Sequence, residues 1–228
     1  MDHPESSSTP RVPAPDPGDG SISTLTAGIV VAAGTGLAVL GPVLGISPWL
    51  TSLAVGAGLV GLTVDAARFG GRGGHLLAEA LPGGRQRLRR IAIHEAGHSL
   101  LAEQNDLPIR RVLVGSLACL QAGLRASGST EFEIPAHAKL AAEDLRRWSR
   151  VLQAGMAAES LIYGRSRGGG DDRALLGRLW GLSGFDVATA QLEQRRARRE
   201  VEQWLRREQP RLEERAEHLL SGAPRLLR

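Results

Sequence analysis

"RIAIHEAGHSLLAEQ", residues 90–104, carries two histidines four positions apart, His94 and His98, with Glu95 directly after the first. Residues at i and i+4 share one face of a helix, so both imidazoles reach a common point. The segment around the polar trio is apolar, so this helix is at least half buried. Buried imidazoles and a buried carboxylate need partners, and a metal ion satisfies all three. The pattern is that of a zinc site in which His94 and His98 bind as neutral imidazoles. The ion lowers the pKa of a bound water to roughly 7. Glu95 lies about 100° further around the helix and serves as general base without being a ligand. Gly97 is a poor helix former, which implies that something packs close to the backbone there.

A catalytic zinc site needs a third protein ligand. Position 104 is glutamine, not the histidine of an extended metzincin pattern, and nothing acidic lies between Asp106 and Glu131. Glu131 and Glu133 fall in an expected strand. Glu159 in "AGMAAESLIYG" and Asp171 and Asp172 in "GGGDD" are the better candidates. Cys119 is the single cysteine, so neither an internal disulfide nor a cysteine-based zinc site exists.

Outward from the motif, the chain divides by composition. Residues 1–21 form an acidic, proline-rich tail expected to be disordered. Gly20–Val64 holds no charged residue, and residues 22–66 read as a transmembrane helical hairpin turning at "GPVLGISP", Gly41–Pro48. A single span takes about 20 apolar residues, and small residues suit helix packing in lipid. Residues 67–87 read as a basic juxtamembrane linker. Arg68, Arg72, Arg85, Arg87, Arg89 and Arg90 follow the second span, which places all beyond Asp65 in the cytoplasm. These arginines either meet anionic headgroups or form a solvated face.

Residues 88–228 read as a mainly α domain with a small β element. Helix is expected through the histidine motif to "NDLP", short strands at Arg111–Ser116 and "STEFEI", and helix from Ala138 to Tyr163. Asp171 or Asp172 caps a helix running through Leu182. Charged helix from Asp186 to Leu220 is broken at Pro210, with Val201, Trp204, Leu205 and Leu212 as a sparse apolar stripe. Aromatic residues are few and not interleaved with basic ones, which excludes a nucleic-acid stacking surface.

"HEAGH", "AGMAAESLIYG" and "GGGDDRALLGRLWG" resemble, in order, the three peptidase signatures of the FtsH-type membrane-anchored zinc proteases. The similarity covers roughly residues 88–185. It implies a helical peptidase domain with His94, His98 and Asp172 on Zn2+ and Glu95 as the catalytic base. Behind the ligands it implies Glu159, orienting an imidazole, and Asp171, at a position where the family usually has asparagine. Ser160 departs from the family's second glutamate.

The family's ATPase module has no counterpart. A phosphate-binding GxxxxGK[ST] loop needs a lysine, and Lys139 is the only one. The resemblance therefore implies an ATP-independent zinc metalloendopeptidase, membrane-anchored with two spans and a cytoplasmic catalytic domain. Its substrates would be flexible or unfolded polypeptide segments near the membrane. Its partners would be membrane lipid and either further copies of itself or a separate ATPase.

Two other readings compete. A zinc-binding scaffold would use the same fold without catalysis. An intramembrane protease of the site-two type would place the motif in lipid, where "RQRLRR" and "EQND" are costly.

Overall fold

The computed structural model describes residues 17–69, 72–133 and 139–225. The architecture is mainly helical with one small two-stranded sheet. Most of the expected tail lies outside the described residues. Its last residues, from Pro17, already belong to helix α1 (Pro17–Leu40). A proline opens a helix without loss, because the first-turn N–H groups have no intrahelical partner.

Helix α1 runs antiparallel to α2 (Pro48–Phe69), with a tight turn between them in which Ile46 N–H donates to Gly41 O at 2.8 Å. Gly34 faces Val55 and Gly58 faces Val30, so small residues let the two backbones approach. The outer faces are apolar and exposed: Val39, Val43, Trp49, Leu53 and Val60 all lie more than half open. The segment Pro48–Ala67 is long and apolar enough to cross a membrane, while the apolar stretch found in α1 is the shorter Val30–Leu40.

The expected linker 67–87 contains helix α3 (Arg72–Ala80), and α4 (Gly84–Gln104) begins inside it, ahead of the expected domain start at residue 88. At the start of α3 the Asp65 carboxylate accepts from Gly73 N–H at 2.9 Å and Gly74 N–H at 3.2 Å, supplying the partners a helix start lacks. Gly83, at φ +93°, turns the chain into α4.

Helix α4 is the centre of the domain that follows the hairpin. Strand β1 (Ile109–Val114) and β2 (Gly128–Phe132) pair antiparallel beside it, joined through a short helix α5 (Ser116–Gln121) that the periodicity does not disclose. Cys119 is fully buried in α5, and burial pushes its thiol up to about 12. Helices α6 (Ala142–Tyr163), α7 (Gly170–Leu182), α8 (Val187–Arg207) and α9 (Gln209–Gly222) complete the chain. Pro210 sits in the first turn of α9, two residues past the break at Glu208.

The main core joins Leu88, Ile93 and Leu100 of α4 to Val151 of α6, Val201 and Leu205 of α8, and Leu212 of α9. The apolar stripe of the charged C-terminal helices is thus spent on the domain itself. A second cluster sets Leu145, Trp148 and Leu152 of α6 against Leu176 and Trp180 of α7, which seats the later turns of α7 on α6. Asp171 and Asp172 lie in the first turn of α7 but do not cap it. Gly169 occupies the N-cap position at φ +92° and no side chain bonds the free N–H groups.

At Gly97 the α4 backbone meets α6: a Cβ there would stand 2.7 Å from Ala154 O and 2.9 Å from Ala158 Cβ. Gly97→Ala gains about 1 kcal/mol of helix propensity, against an overpacking cost of about 1–3 kcal/mol or more. Net destabilisation is expected in chemical denaturation, and a more severe loss for Gly97→Val. A stabilised Gly97→Ala protein would contradict this packing.

Candidate metal centre

His94, Glu95 and His98 are all buried on α4, with the two imidazoles meeting groups of α6 and α7. Each histidine is held from behind. His98 Nδ1 lies 2.8 Å from the Val151 carbonyl, and a carbonyl only accepts, so the ring must donate there. His94 Nδ1 lies 2.8 Å from Glu159 Oε1, an equally clear acceptor. Both neutral rings are therefore fixed in the tautomer with an Nε2 lone pair pointing forward.

Both Nε2 atoms point at one oxygen. Asp172 Oδ2 is 3.1 Å from His94 Nε2 and 3.3 Å from His98 Nε2. The edge of a tetrahedron around an ion with 2.0–2.1 Å bonds is about 3.3 Å. One ligand atom from each of His94, His98 and Asp172 lies within 4.8 Å of the others, and this cluster could hold a metal ion. Three acceptors facing one another are mutually repulsive unless a cation or added protons lie between them, so the donor set fits a divalent ion.

Space for an ion is kept open by glycine. A Cβ on Gly155 of α6 would press on the Nε2 atoms of both histidines, reaching 2.5 Å from that of His98. On the other side of His94, a Cβ at Gly168 would come within 3.5 Å of Cε1.

Glu159 does more than orient one ring. Its carboxylate accepts from Arg90 Nε at 2.6 Å, Arg167 N–H at 3.0 Å and Gly168 N–H at 3.3 Å, besides facing His94. It thereby ties the loop before α7 to α4, and that loop delivers Asp172. Arg90 also donates to the Arg165 carbonyl, and Arg89 pairs with Glu217 at 2.9 Å. These two arginines are engaged within the domain rather than spread over headgroups. Burial pushes Glu159 up, but His94 and Arg90 outweigh it and bring the carboxyl down to about 2.

Glu95 is buried and turned to the β2 side. Thr130 Oγ1 donates to its Oε2 at 2.8 Å, and a Cβ on Gly128 would stand 2.5 Å from Oε1. Burial raises its pKa, opposed by the charges of His94 and His98. Asp171 is exposed and, among the described residues, bonds to neither imidazole. Both Nδ1 positions are already taken by Glu159 and Val151, which leaves Asp171 no ring to orient. Glu131 pairs with Arg111 at 2.8 Å and is not part of the cluster. Gly155, Thr130 and the Val151 carbonyl escape sequence reasoning. A glycine in mid-helix, four residues before Glu159, was the available signal for the first.

No family model, curated protein or solved structure matches the chain. The resemblance to FtsH-type peptidases rests on the three short signatures.

Burial disfavours a charged His94, but its bonds to Asp172 and Glu159 outweigh that and push it up to about 10 in the absence of a cation. The imidazoles likewise hold Asp172 well below the usual carboxylate range, against the opposing effect of burial. A cation must displace the proton on His94, so uptake at neutral pH releases protons. Apparent affinity should climb as pH rises from about 6 toward about 9, read by competition with a chromophoric chelator. A flat profile would contradict the assignment. Glu159→Gln should weaken metal affinity about 10–100-fold while the fold persists.

Proposed function

We propose that the protein is a membrane-anchored, ATP-independent zinc metallopeptidase that cleaves flexible or unfolded polypeptide near the membrane surface. The observation that carries this reading is the meeting of His94 Nε2, His98 Nε2 and Asp172 Oδ2, with the carboxylate of Glu95 buried one helix position away. Among divalent ions, zinc suits two imidazoles and one carboxylate with a fourth position left open.

Zinc held there supplies Lewis acidity, polarising a peptide carbonyl and acidifying an attacking water. The remaining tasks fall to the chain. His94 and His98 are pre-set by Glu159 and the Val151 carbonyl, so no reorientation is needed when the ligands engage. Glu95 takes the proton from the attacking water and returns it to the leaving amine nitrogen. Burial raises its pKa, which favours its taking up that proton. Thr130 restrains one oxygen of that carboxylate and leaves the other for the proton. A purely structural zinc has no use for such an acid and is more often closed by four protein ligands. That favours catalysis over the scaffold reading.

The anchor follows the same logic. An exposed apolar pair of helices is costly in water and stable in lipid. We read α1 and α2 as two spans, with the uncharged Gly41–Pro48 turn on the far side and the arginine-rich segments on the cytoplasmic side. The catalytic half then sits at the cytoplasmic face, where its charged surface belongs, and not within the bilayer.

Zinc-loaded protein should hydrolyse an unfolded polypeptide, stop on chelation and recover on adding zinc. Glu95→Gln should keep its zinc yet lose about 10²–10⁴-fold in kcat. Full activity in that variant would reject the base; zinc retention with no hydrolysis by wild type would favour the scaffold. For topology, Ser47→Cys in sealed inside-out vesicles should resist an impermeant maleimide until detergent is added. Immediate labelling would place the turn on the cytoplasmic side.

A further inference from the structure

Two hydrogen-bonded joints connect the apolar hairpin to the wall that touches Glu95, and α3 lies between them. At the first joint, Asp65 near the end of α2 uses both carboxylate oxygens to accept from Gly73 N–H and Gly74 N–H. Gly73 sits close against that carboxylate, since a Cβ there would stand 3.1 Å from Asp65 Oδ2. At the second joint, α3 binds the catalytic half. His75 Nδ1 lies 2.9 Å from Ser127 Oγ. Glu79 accepts from Ser116 N–H at 2.9 Å and from Ser116 Oγ at 2.7 Å, and Ser116 Oγ lies 3.3 Å from Ser127 Oγ. Ser127 O in turn accepts from Gly115 N–H at 2.9 Å.

Ser127 is the residue immediately before β2, and β2 is the wall over the base. Gly128 abuts Glu95 Oε1 and Thr130 bonds Oε2. Neither intermediate element is rigid on its own. Helix α3 has 9 residues with glycines at 73 and 74, well below the length at which a helix is stable alone. The sheet has two strands, which are marginal without further support. Besides the packing of both strands on α4, the joints at their ends therefore help to set their positions.

We propose that α3 is a tether through which the hairpin holds β2 against Glu95, with Asp65, His75 and Ser127 as positioning residues, so that the state of the anchor regulates the site. A shift of α2 relative to the domain moves α3, draws Ser127 with it and carries Gly128 and Thr130 off the carboxylate. The consequence for turnover rests on the peptidase reading above; the mechanical coupling from hairpin to β2 does not.

The test uses the full chain in lipid nanodiscs, loaded with Co2+, as wild type, Asp65→Ala, Ser127→Ala and Ser127→Thr. Amide hydrogen exchange over residues 128–132 should quicken about tenfold in both alanine variants while exchange in α4 and α6 stays unchanged. The Co2+ visible spectrum should also be unchanged. Against an unfolded peptide, kcat should fall about tenfold with KM within about twofold. Ser127→Thr, which keeps the hydroxyl, should restore both readings. Exchange in β2 within about twofold of wild type in the alanine variants would overturn the tether. An equal rise in α4 and α6 would also overturn it, since the loss would then be general. Released β2 exchange in a protein that hydrolyses no peptide would keep the tether and reject the peptidase reading. Should Asp65→Ala fail to fold, the Ser127 pair alone decides.

Discussion

The site depends on how closely the backbone of α4 approaches that of α6. Gly97 lets α4 come down onto Ala154, and Gly155 opposite leaves room for two imidazoles where any side chain would collide with them. Only at that separation does the Val151 carbonyl lie within reach of His98 Nδ1, and Glu159 within reach of His94 Nδ1. The two glycines lower the helix propensity of their segments, and the loss is offset by core packing of Ile93 and Leu100 against Val151 and the C-terminal helices.

Glu159 extends that contact to the third member of the cluster, Asp172. A buried carboxylate is costly unless fully hydrogen-bonded. Here Arg90, two backbone N–H groups and His94 share the task. Because Arg167 and Gly168 belong to the loop that opens α7, the same carboxylate sets ring orientation on α4 and the position of Asp172. Trp180 fixes the other end of α7 in the second core cluster, where its Nε1–H donates to Ser149 Oγ at 3.0 Å. The distant ligand is thus held at both ends, by a polar anchor and an apolar one.

The parts of this arrangement that were legible in sequence are those governed by one period. His94, Glu95 and His98 declare themselves through helical spacing, and Gly97 through its misfit with a helix. The pairing of Asp172 with a motif far upstream came from an order of short signatures, not from any local rule. The structure then set the two adjacent aspartates apart: one faces the imidazoles, the other faces solvent. Sequence reasoning failed where long-range partners overrode local preference. The run of arginines suggested a basic linker over 67–87, yet Asp65 supplies an acceptor for Gly73 and Gly74 N–H and α3 forms within it. A capping role for Asp171 or Asp172 was sound propensity, but Gly169 in a left-handed conformation already turns the chain there. Thr130 and Ser127 were invisible because their roles exist only once β2 lies across α4.

The distribution of charge separates an apolar helical pair from a polar centre within one chain. The long uncharged stretch folds into α1 and α2, where among the described residues Thr35 Oγ1 donates to Val31 O at 2.8 Å and Thr63 Oγ1 to Leu59 O at 2.9 Å. Such back-bonding satisfies a hydroxyl in lipid without a partner helix. Asp65 is the first acid after that stretch, and its carboxylate accepts from two backbone N–H groups of α3. On the proposed reading of α2 as a span, that carboxylate stays near the interface, because burying it deeper in lipid would cost on the order of several kcal/mol. The apolar hairpin and the geometry around Glu95 then lie at two ends of one hydrogen-bonded path.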